Sequence, residues 1–554
     1  MSYQSAKWTD LWEWTKTGVF SEWYIDNTPN LYIPQWASPY LRNCRLDGNT
    51  INIRNWHNLF KLLDSRGYWI WTYLKADSSN DRLVVRENIV DSEWAEDPNK
   101  KLALYEEDWT KTEINTSSYI TSDDRMEFVN VADTVFCMNW VDKFWKLEWT
   151  TYSNPANVPT NFAPKFWVVF NWCLWASWWS SKPNVVYKSL WGIYNSSWVF
   201  QTPAYDDFTS TGSDQFTFQE NITGLCANAQ ALFYFTKNTV SVTGQSDIET
   251  VQISSNGGSR VAYTTSVLTA KEGSVNHASI VWVWNDVYYI TPNNKICKVA
   301  RGNSIYGYEV IDLSARKYAW CEWLMKSLSK DQSNCWWYYV PNEDIIKWFF
   351  RSEGSEVNDV CVVYDIDKDK FLVDSGKIFF AWVAFHNKVY ALAEVEAKLY
   401  EDEIGTEDED APIPFEYRTK QFYIWEPSYK KLFWETRTTL DINLNVELRQ
   451  EIWIDNRQVD DTIIDKTYLK DSAVGWIWTY ATWTAMVWVD IEADQYTEWL
   501  DYSEIYCMRT KWNLNQRWHW IQFRFSNTTE WAKVRLKYLS CKVEILPELT
   551  SPLK

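Results

Sequence analysis

Apolar residues along the chain occur in short runs of four to eight residues, rich in Val, Ile, Tyr and Phe and separated by turn residues. Runs of this length between turn signals are typical of strands, and helical periodicity is nearly absent. Alternation of apolar and polar residues is clearest near the C-terminus, in VELRQEIWI and in IQFRFSNTTEWAKVRLKYLSCKVEIL. The pattern therefore predicts an all-β protein.

A unit of two apolar runs joined by a turn recurs between about residues 31 and 400. Equivalent landmarks in six copies are Val135, Cys173, Leu232, Val287, Trp337 and Val389, with gaps of 38, 59, 55, 50 and 52 residues. A loose period near 50 residues in an all-β chain indicates four-stranded propeller blades. We expect a β-propeller of about six blades over 31–400, with five or seven as alternatives, in which 31–56 completes the ring. A solenoid or two sandwiches are the competing architectures.

Composition shifts divide the rest of the chain. Residues 401–410, EDEIGTEDED, form an acidic run that is followed by APIP, so 401–412 is predicted to be a linker. The strands of 413–554 suit a C-terminal β-sandwich. Residues 1–30 are polar with scattered aromatic residues, which favours an N-terminal arm that orders on a partner.

Tryptophan and glycine are both unusual in number. The 554 residues include 40 Trp and only 16 Gly, whereas Gly ordinarily makes up about 7% of a protein. The excess of Trp and the deficit of Gly are similar in size. Many Trp residues therefore stand where Gly is expected.

The positions of the Trp residues support the same interpretation. Asn171 and Trp172, and likewise Asn139 and Trp140, lie between apolar runs where an Asn-Gly pair would form a type I′ hairpin turn. Further Trp residues occur in 66–73, 281–286, 474–480 and 516–523, where a real Trp would expose its indole to solvent. Trp178 and Trp179 resemble a Gly pair in a loop. By contrast, Trp336, Trp337, Trp348 and Trp434 lie in apolar runs typical of real strand residues.

One mechanism explains these positions: UGA codons that the source reads as glycine are written here as tryptophan. The alternative is a protein that is truly rich in Trp and that stacks these indoles on carbohydrate. The two interpretations make opposite predictions. Positive φ at the Trp positions favours glycine, whereas indoles clustered on one face beside two carboxylates about 5–9.5 Å apart favour a glycosidase.

The charge balance excludes a protein that wraps nucleic acid through phosphate neutralisation. The chain has 54 basic and 73 acidic residues, a net charge of −19, and phosphate binding needs a basic surface. The N-terminus lacks the features of a signal peptide. The apolar segment 166–179 is shorter than the roughly 20 residues of a membrane span, and Asn171 interrupts it, so we expect no membrane span.

No catalytic or metal-binding motif stands out. The four His residues, His57, His277, His386 and His519, are isolated in sequence. Asp365, Asp367 and Asp369 resemble the start of a calcium loop, but that loop needs Gly and a carboxylate where Lys370 and Gly376 stand. We read them as a charged hairpin turn. No nucleotide-binding or hydrolase motif appears. We therefore expect no catalytic residues, no cofactor and no metal.

The ten cysteines are scattered and lack ligand spacing, so we expect most of them to be reduced core thiols. They are Cys44, Cys137, Cys173, Cys226, Cys297, Cys321, Cys335, Cys361, Cys507 and Cys541.

With Trp read as Gly, several passages resemble phage virion proteins built on a β-propeller, the class of tail nozzle and head-completion (stabilisation) proteins of short-tailed phages. These passages are IPQWASPYLRNCRLDGNTINIRNW, LFYFTKNTVSVTG, KEGSVNHASIVWVWNDVYYIT and QRWHWIQFRFSNTTEWAKVRLKYLSCKVEI. The resemblance covers about 30–400 loosely and the last 40 residues more closely. It implies a scaffold without catalytic residues.

The leading hypothesis is thus a structural virion protein of a phage neck or tail, made in the host cytoplasm. It would assemble with other virion proteins, as a homo-oligomeric ring around a DNA channel whose acidic wall lets DNA pass without specific binding. The alternative is a propeller that binds or cleaves carbohydrate at a virion or cell surface. An extracellular adhesion protein is the third possibility.

Overall fold

The computed structural model is all-β. It describes 7–10, most of 40–402, 413–419, most of 431–465 and separate strands between 476 and 545. The longer stretches outside the described residues are 11–39, 191–204, 315–323, 403–412, 420–430, 466–475, 478–486, 492–504 and 546–554. Five strands precede the repeats: β1 (Lys7–Asp10), β2 (Tyr40–Arg42), β3 (Cys44–Asp47), β4 (Thr50–Ile53) and β5 (His57–Leu62).

Seven antiparallel four-stranded units follow along the described chain, consistent with propeller blades. Unit 1 contains β6 (Gly67–Tyr73), β7 (Arg82–Val90), β8 (Glu96–Tyr105) and β9 (Lys111–Asn115). Unit 2 contains β10 (Glu127–Val131), β11 (Thr134–Met138), β12 (Trp145–Glu148) and β13 (Thr151–Ser153), and unit 3 contains β14 (Phe166–Phe170), β15 (Cys173–Trp179), β16 (Lys182–Lys188) and β17 (Asp214–Thr217). Unit 4 contains β18 (Ile222–Ala227), β19 (Ala231–Thr236), β20 (Val240–Gly244), an inserted hairpin of β21 (Ile248–Ile253) and β22 (Gly258–Tyr263), and β23 (Ser266–Thr269).

A 3₁₀ turn, His277–Ser279, precedes unit 5, which contains β24 (Val281–Val283), β25 (Asp286–Ile290), β26 (Ile296–Arg301) and β27 (Tyr308–Asp312). Unit 6 contains β28 (Trp336–Val340), β29 (Ile345–Phe350), β30 (Val360–Asp365) and β31 (Lys370–Asp374). Unit 7 contains β32 (Phe379–Phe385), β33 (Lys388–Ala393), β34 (Lys398–Asp402) and, as its fourth strand, β5.

The first strands of successive units contact one another in chain order. The series β6, β10, β14, β18, β24, β28 and β32 returns to its start, because β32 also contacts β6. Apolar clusters fill the space between neighbouring units, and one buried cluster joins units 7, 1 and 2 through Val383, Ile70 and Phe128. These clusters form because strand residues on facing sheets are apolar and exclude water.

Unit 7 is completed by a strand from before unit 1. In β5, His57 pairs with Asp402 and Leu62 pairs with Lys398 in an antiparallel ladder. The segment 57–62 therefore joins the two ends of the repeat series.

The C-terminal strands are β35 (Phe415–Arg418), β36 (Lys431–Asn443), β37 (Glu447–Ile454), β38 (Arg457–Asp465), β39 (Trp476–Ile477), β40 (Val487–Trp488), β41 (Asp490–Ile491), β42 (Ile505–Trp518), β43 (Ile521–Asn527) and β44 (Val534–Ile545). Strands β39 and β40 pair with each other in a two-stranded sheet. Strands β36, β41, β42 and β44 form a larger sheet with β3 and β4, in the order β3-β4-β44-β36-β42-β41, with β1 also paired to β44. The other sheet is continuous with unit 6, in the order β28-β29-β30-β31-β2-β35-β43-β37-β38. Strands β1, β2 and β4 thus pair with C-terminal strands, and β3 pairs with β4.

The landmarks, the apolar segment and the start of the predicted linker all lie in strands. Five of the six landmarks lie in second strands of units, and Trp337 lies in a first strand. The apolar segment 166–179 forms β14 and β15. Across the described residues, no helix has both the length and the apolar character needed to cross a membrane. Glu401 and Asp402, the first residues of the predicted linker, are buried at the end of β34, and 403–412 lie outside the described residues.

Candidate functional site

Four Trp residues have positive backbone φ, a conformation that distinguishes them from the other large aromatic residues of the described chain. Among described residues other than Gly, twelve have positive φ, and eight of these are Asn, Asp or His, which tolerate the left-handed region. The other four are Trp109, Trp149, Trp172 and Trp284. No Tyr or Phe among the described residues has this conformation, although the chain has 33 Tyr and 25 Phe.

The hairpin between β14 and β15 has the predicted type I′ character. Phe170 pairs with Cys173, which leaves Asn171 and Trp172 as a two-residue loop. Their φ angles are 49° and 60°, and a type I′ turn requires positive φ at both positions. The side chain of Trp172 is 69% exposed. The corresponding prediction for Asn139 and Trp140 is wrong, because Cys137 pairs with Trp145, which makes the connection too long for a two-residue turn, and Asn139 does not have positive φ. Trp140 itself lies outside the described residues.

Trp149 and Trp284 are the first residues of two-residue hairpin loops. Their φ angles are 59° and 56°, and the flanking pairs are Glu148 with Thr151 and Val283 with Asp286. Positive φ at the first loop residue alone is typical of a type II′ turn, which favours Gly there. Trp284 is 71% exposed.

Trp109 lies one residue before the end of the connection 106–110 between β8 and β9. Its N–H donates to the carbonyl of Glu106 at 2.9 Å, and its φ is 64°. A turn followed by a left-handed residue is the arrangement of a three-residue hairpin loop with a G1 bulge, in which that residue is usually Gly. Unlike Trp172, the indole of Trp109 is half-buried and lies 4.3 Å from the ring of Phe60.

A second group of Trp residues is integral to the core. The side chains of Trp175, Trp336 and Trp348 are buried in strands. Their indole N–H groups donate to the carbonyls of Phe170, Phe379 and Ser279 at 3.1, 3.1 and 3.3 Å.

Four further Trp residues lie in strands, and for three of them this differs from the sequence prediction. Trp69 was expected to face solvent but is buried in β6, because it packs in the cluster shared with units 7 and 2. Trp178 and Trp179 form the end of β15, beside an irregularity in its pairing, and not a loop. Trp434 lies in β36, as its apolar run predicted.

A buried polar cluster joins β2, β3 and β4 to unit 6. Arg45 binds Asp374 through two parallel hydrogen bonds of 2.9 and 2.8 Å. Asn43, at φ 53°, donates to Ser375 and accepts from its N–H, and Arg54 donates to the carbonyl of Ser375 at 3.1 Å. Burial opposes ionisation of Asp374, but the adjacent Arg45 outweighs it and holds the pKa of this carboxyl well below its usual range.

The cluster continues between units 6 and 7. Lys347 donates to Asp402 and to the hydroxyl of Tyr338, each at 2.9 Å, and Lys377 binds the other oxygen of Asp402. Both lysines and the aspartate are buried. Burial and the positive charge of Arg45 lower the pKa of Lys347 to about 8. Because unpaired buried charges are costly, these pairs fix the relative positions of the elements that carry them.

The residues singled out from sequence are dispersed. His57 is buried edge-on against Phe379 and Tyr400, the Nδ1 of His277 accepts from the N–H of Leu225, and His386 has a φ of 48°. His57 and His386 both belong to unit 7, in β5 and in the connection between β32 and β33, whereas His277 precedes unit 5, and His519 lies outside the described residues.

The three alternating aspartates lie at the hairpin between β30 and β31, as predicted. Asp365 pairs with Lys370 across the hairpin and accepts from the backbone and side chain of Lys368, and Asp369 accepts from Tyr364. Within the described chain, no three His, Cys, Asp or Glu residues are grouped to hold a metal ion.

Seven cysteines have described side chains, and all seven are buried, as predicted for core thiols. Burial raises the pKa of Cys173 to about 11, and of Cys226 and Cys361 to about 12. The buried charge cluster was not predicted from the sequence. Lys347, inside the apolar run IIKWFF, is the signal that points to it.

The sequence matches no protein-family model and no curated protein. Among solved structures, the computationally designed Ika8 protein is similar at 10% identity and TM-score 0.34, with 62% of this chain and 98% of that chain covered. U3-55K gives 7% identity and TM-score 0.37 over 63% and 98% of the two chains. A puromycin-hydrolyzing peptidase of Mycobacterium tuberculosis gives 10% identity and TM-score 0.33 over 66% and 61%.

Proposed function

We propose that this chain is a structural protein of a phage neck or tail, which assembles as a ring of copies around the DNA channel. It would consist of a seven-bladed β-propeller joined to a C-terminal β-sandwich. The observation that carries the proposal is the continuous sheet from unit 6 through β2 to the C-terminal strands. A sheet shared by two parts resists hinge motion, which suits a component that bears load and does not turn over substrate.

The closed series of first strands supports the propeller. A propeller needs each inner strand to contact its two neighbours, and the seven first strands do so. Completion of unit 7 by β5 supports it further, because this pairing links the ends of the repeat series. Seven blades lie within the range expected from the sequence period, one above the leading value of about six.

The axis of such a propeller is not the proposed DNA path. Neighbouring first strands approach within 8 Å between Cα atoms, so a ring of seven would measure about 18 Å across between Cα atoms. Side chains narrow it further, below the width of a DNA duplex. The first strands also carry a single charged residue, Glu127. DNA would pass through a larger ring of several copies, where the net charge of −19 disfavours binding.

Decoding of UGA as glycine belongs to this proposal, because the resemblance to virion proteins appears when Trp is read as Gly. Its structural support is the positive φ of four Trp residues, since the left-handed region costs an L-residue about 1–2 kcal/mol and costs Gly little.

The test uses the full-length chain. Mass photometry and negative-stain electron microscopy should show a closed ring of copies, and peptides of the chain should be present in purified virions of the source phage. Filter binding at low salt should show no retention of duplex DNA. A monomer at micromolar concentration that is absent from virions would overturn the proposal, and so would tight DNA binding.

Carbohydrate binding is the second candidate, and the exposed indoles of Trp172, Trp282 and Trp284 favour it. Indoles on a protein surface provide the apolar faces on which sugar rings stack. A glycan array probed with the chain as written, and with Trp172→Gly and Trp284→Gly, tests this candidate. Binding that these substitutions abolish would support it, and no binding by the chain as written would exclude it.

A further inference from the structure

The structure distinguishes two kinds of Trp position, and we infer that they correspond to two different residues in the native protein. The native chain carries glycine at positions 109, 149, 172 and 284, and tryptophan at positions 175, 336 and 348. This inference rests on the proposed decoding of UGA as glycine but not on the virion role. It assigns each of these positions from its backbone conformation and contacts, whereas the sequence pattern alone singles out only some of them.

The first group has the backbone conformation that favours glycine. Trp109, Trp149, Trp172 and Trp284 have φ between 56° and 64°. Each lies at the loop position where its hairpin type calls for Gly: the G1 position at Trp109, the first loop residue at Trp149 and Trp284, and the second at Trp172. The φ angle, the loop length and the position in the loop thus agree at four separate hairpins, and all three favour glycine.

The contacts made by the backbone at these positions do not need a side chain. The N–H of Trp149 donates to the hydroxyl of Tyr73 at 3.1 Å, and the carbonyl of Trp109 accepts from Lys61 at 3.3 Å. Glycine would retain both bonds. Three of the four indoles also make contacts of their own: the guanidinium of Arg82 lies 3.8 Å from the Trp149 ring, and the indole N–H of Trp284 donates to Asp344 at 3.3 Å. The indole of Trp109 packs against two rings, those of Phe60 and Tyr390, so position 109 is the strictest of the four assignments.

The second group uses the whole indole. Trp175, Trp336 and Trp348 lie inside strands, where glycine weakens pairing. Each is buried, and each indole N–H donates to a carbonyl. Glycine at these positions would leave a large cavity and remove the donor to a buried carbonyl, two recognised causes of severe destabilisation.

The assignment has a functional consequence. Because strands alternate in direction, the first and third connections of each four-stranded unit lie at the same end of the ring. Trp172 and Trp284 lie in first connections, and Trp109 and Trp149 in third connections. All four indoles therefore belong to one end, which includes the two most exposed indoles. With glycine at 172 and 284, the protein loses two of the three exposed indoles, Trp172, Trp282 and Trp284, that favour carbohydrate binding.

The test is peptide sequencing by mass spectrometry of the protein purified from its natural source, together with the codons in the source DNA. We expect glycine from UGA at 109, 149, 172 and 284, and tryptophan from UGG at 175, 336 and 348. Tryptophan at any of the four turn positions, or glycine at any of the three core positions, would overturn the inference. Peptide masses do not depend on assembly, so tryptophan at all seven positions would refute the inference even for a chain that forms virion rings. Glycine at the four turns in a chain that forms no ring would instead overturn the virion role alone.

Discussion

The hairpin of β14 and β15 carries one Trp of each kind, three residues apart, so it allows a matched comparison in the chain as written. Trp172→Gly relieves a left-handed conformation that costs about 1–2 kcal/mol, and the greater freedom of Gly in the unfolded chain offsets about 0.5–1 kcal/mol of that gain. We expect a net stabilisation of about 1 kcal/mol. Trp175→Gly deletes a buried indole, for which truncation costs about 3–5 kcal/mol, and it also removes the hydrogen bond to the Phe170 carbonyl.

The assay is urea unfolding followed by far-ultraviolet circular dichroism, because the fluorescence of 40 tryptophans reports no single site. The midpoint should rise for Trp172→Gly and fall steeply for Trp175→Gly. Trp172→Ala is the control, since it removes the same indole and keeps a Cβ in the left-handed region. If Trp172→Ala is as stable as Trp172→Gly, the gain comes from loss of the indole, and the argument from φ is refuted.

Three further predictions concern buried groups. Asp374→Asn removes the buried carboxylate that binds Arg45 through two hydrogen bonds and leaves Arg45 with the more distant Glu343 at 3.6 Å, so it should cost about 3–5 kcal/mol in urea unfolding. Asp367→Asn in the nearby turn should change little, and equal effects would contradict a role for burial. The pKa of Lys347 is lowered from 10.5 to about 8 in the folded chain. Between these pH values Lys347 is protonated in the unfolded chain but largely deprotonated in the folded chain, so its contribution makes the free energy of unfolding rise with pH. The difference in stability between wild type and Lys347→Met should therefore change in favour of wild type from pH 8 to 10, and an unchanged difference would refute the shift. The seven buried thiols should resist iodoacetamide until urea unfolds the chain, and rapid alkylation in the native state would contradict their burial.

Local features of the fold were accessible from the sequence because they depend on nearby residues. The strand pattern predicted an all-β chain, and Asn171 with Trp172 marked a turn that has the expected φ at both positions. The landmark spacing located most second strands. Unit 1 was missed because its long strands β7 and β8 carry many charged residues and lack an unbroken apolar run.

Pairing between distant segments could not be predicted from the local pattern. The expectation that 31–56 completes the ring assigned this role to the wrong neighbours, since β5 pairs with β34 while β4 pairs with β44. Any strand with a suitable apolar face can pair with the edge strand of a sheet. Which strand becomes the partner therefore depends on the whole fold. The buried charge cluster was missed for a related reason: charged residues are usually exposed, and only the assembled fold brings Arg45 to Asp374.

The closing strand β5 has a consequence for synthesis in the cell. Its partners in β34 are more than 330 residues further along the chain, and translation at about 5–20 residues per second needs roughly 20–70 seconds to reach them. During that interval the edge of β5, with its two exposed leucines Leu59 and Leu62, remains without its partner strand, and unpaired strand edges promote aggregation. The nascent chain therefore completes its ring late, and chaperone supply during translation should affect the yield of folded protein more than the stability of any single unit.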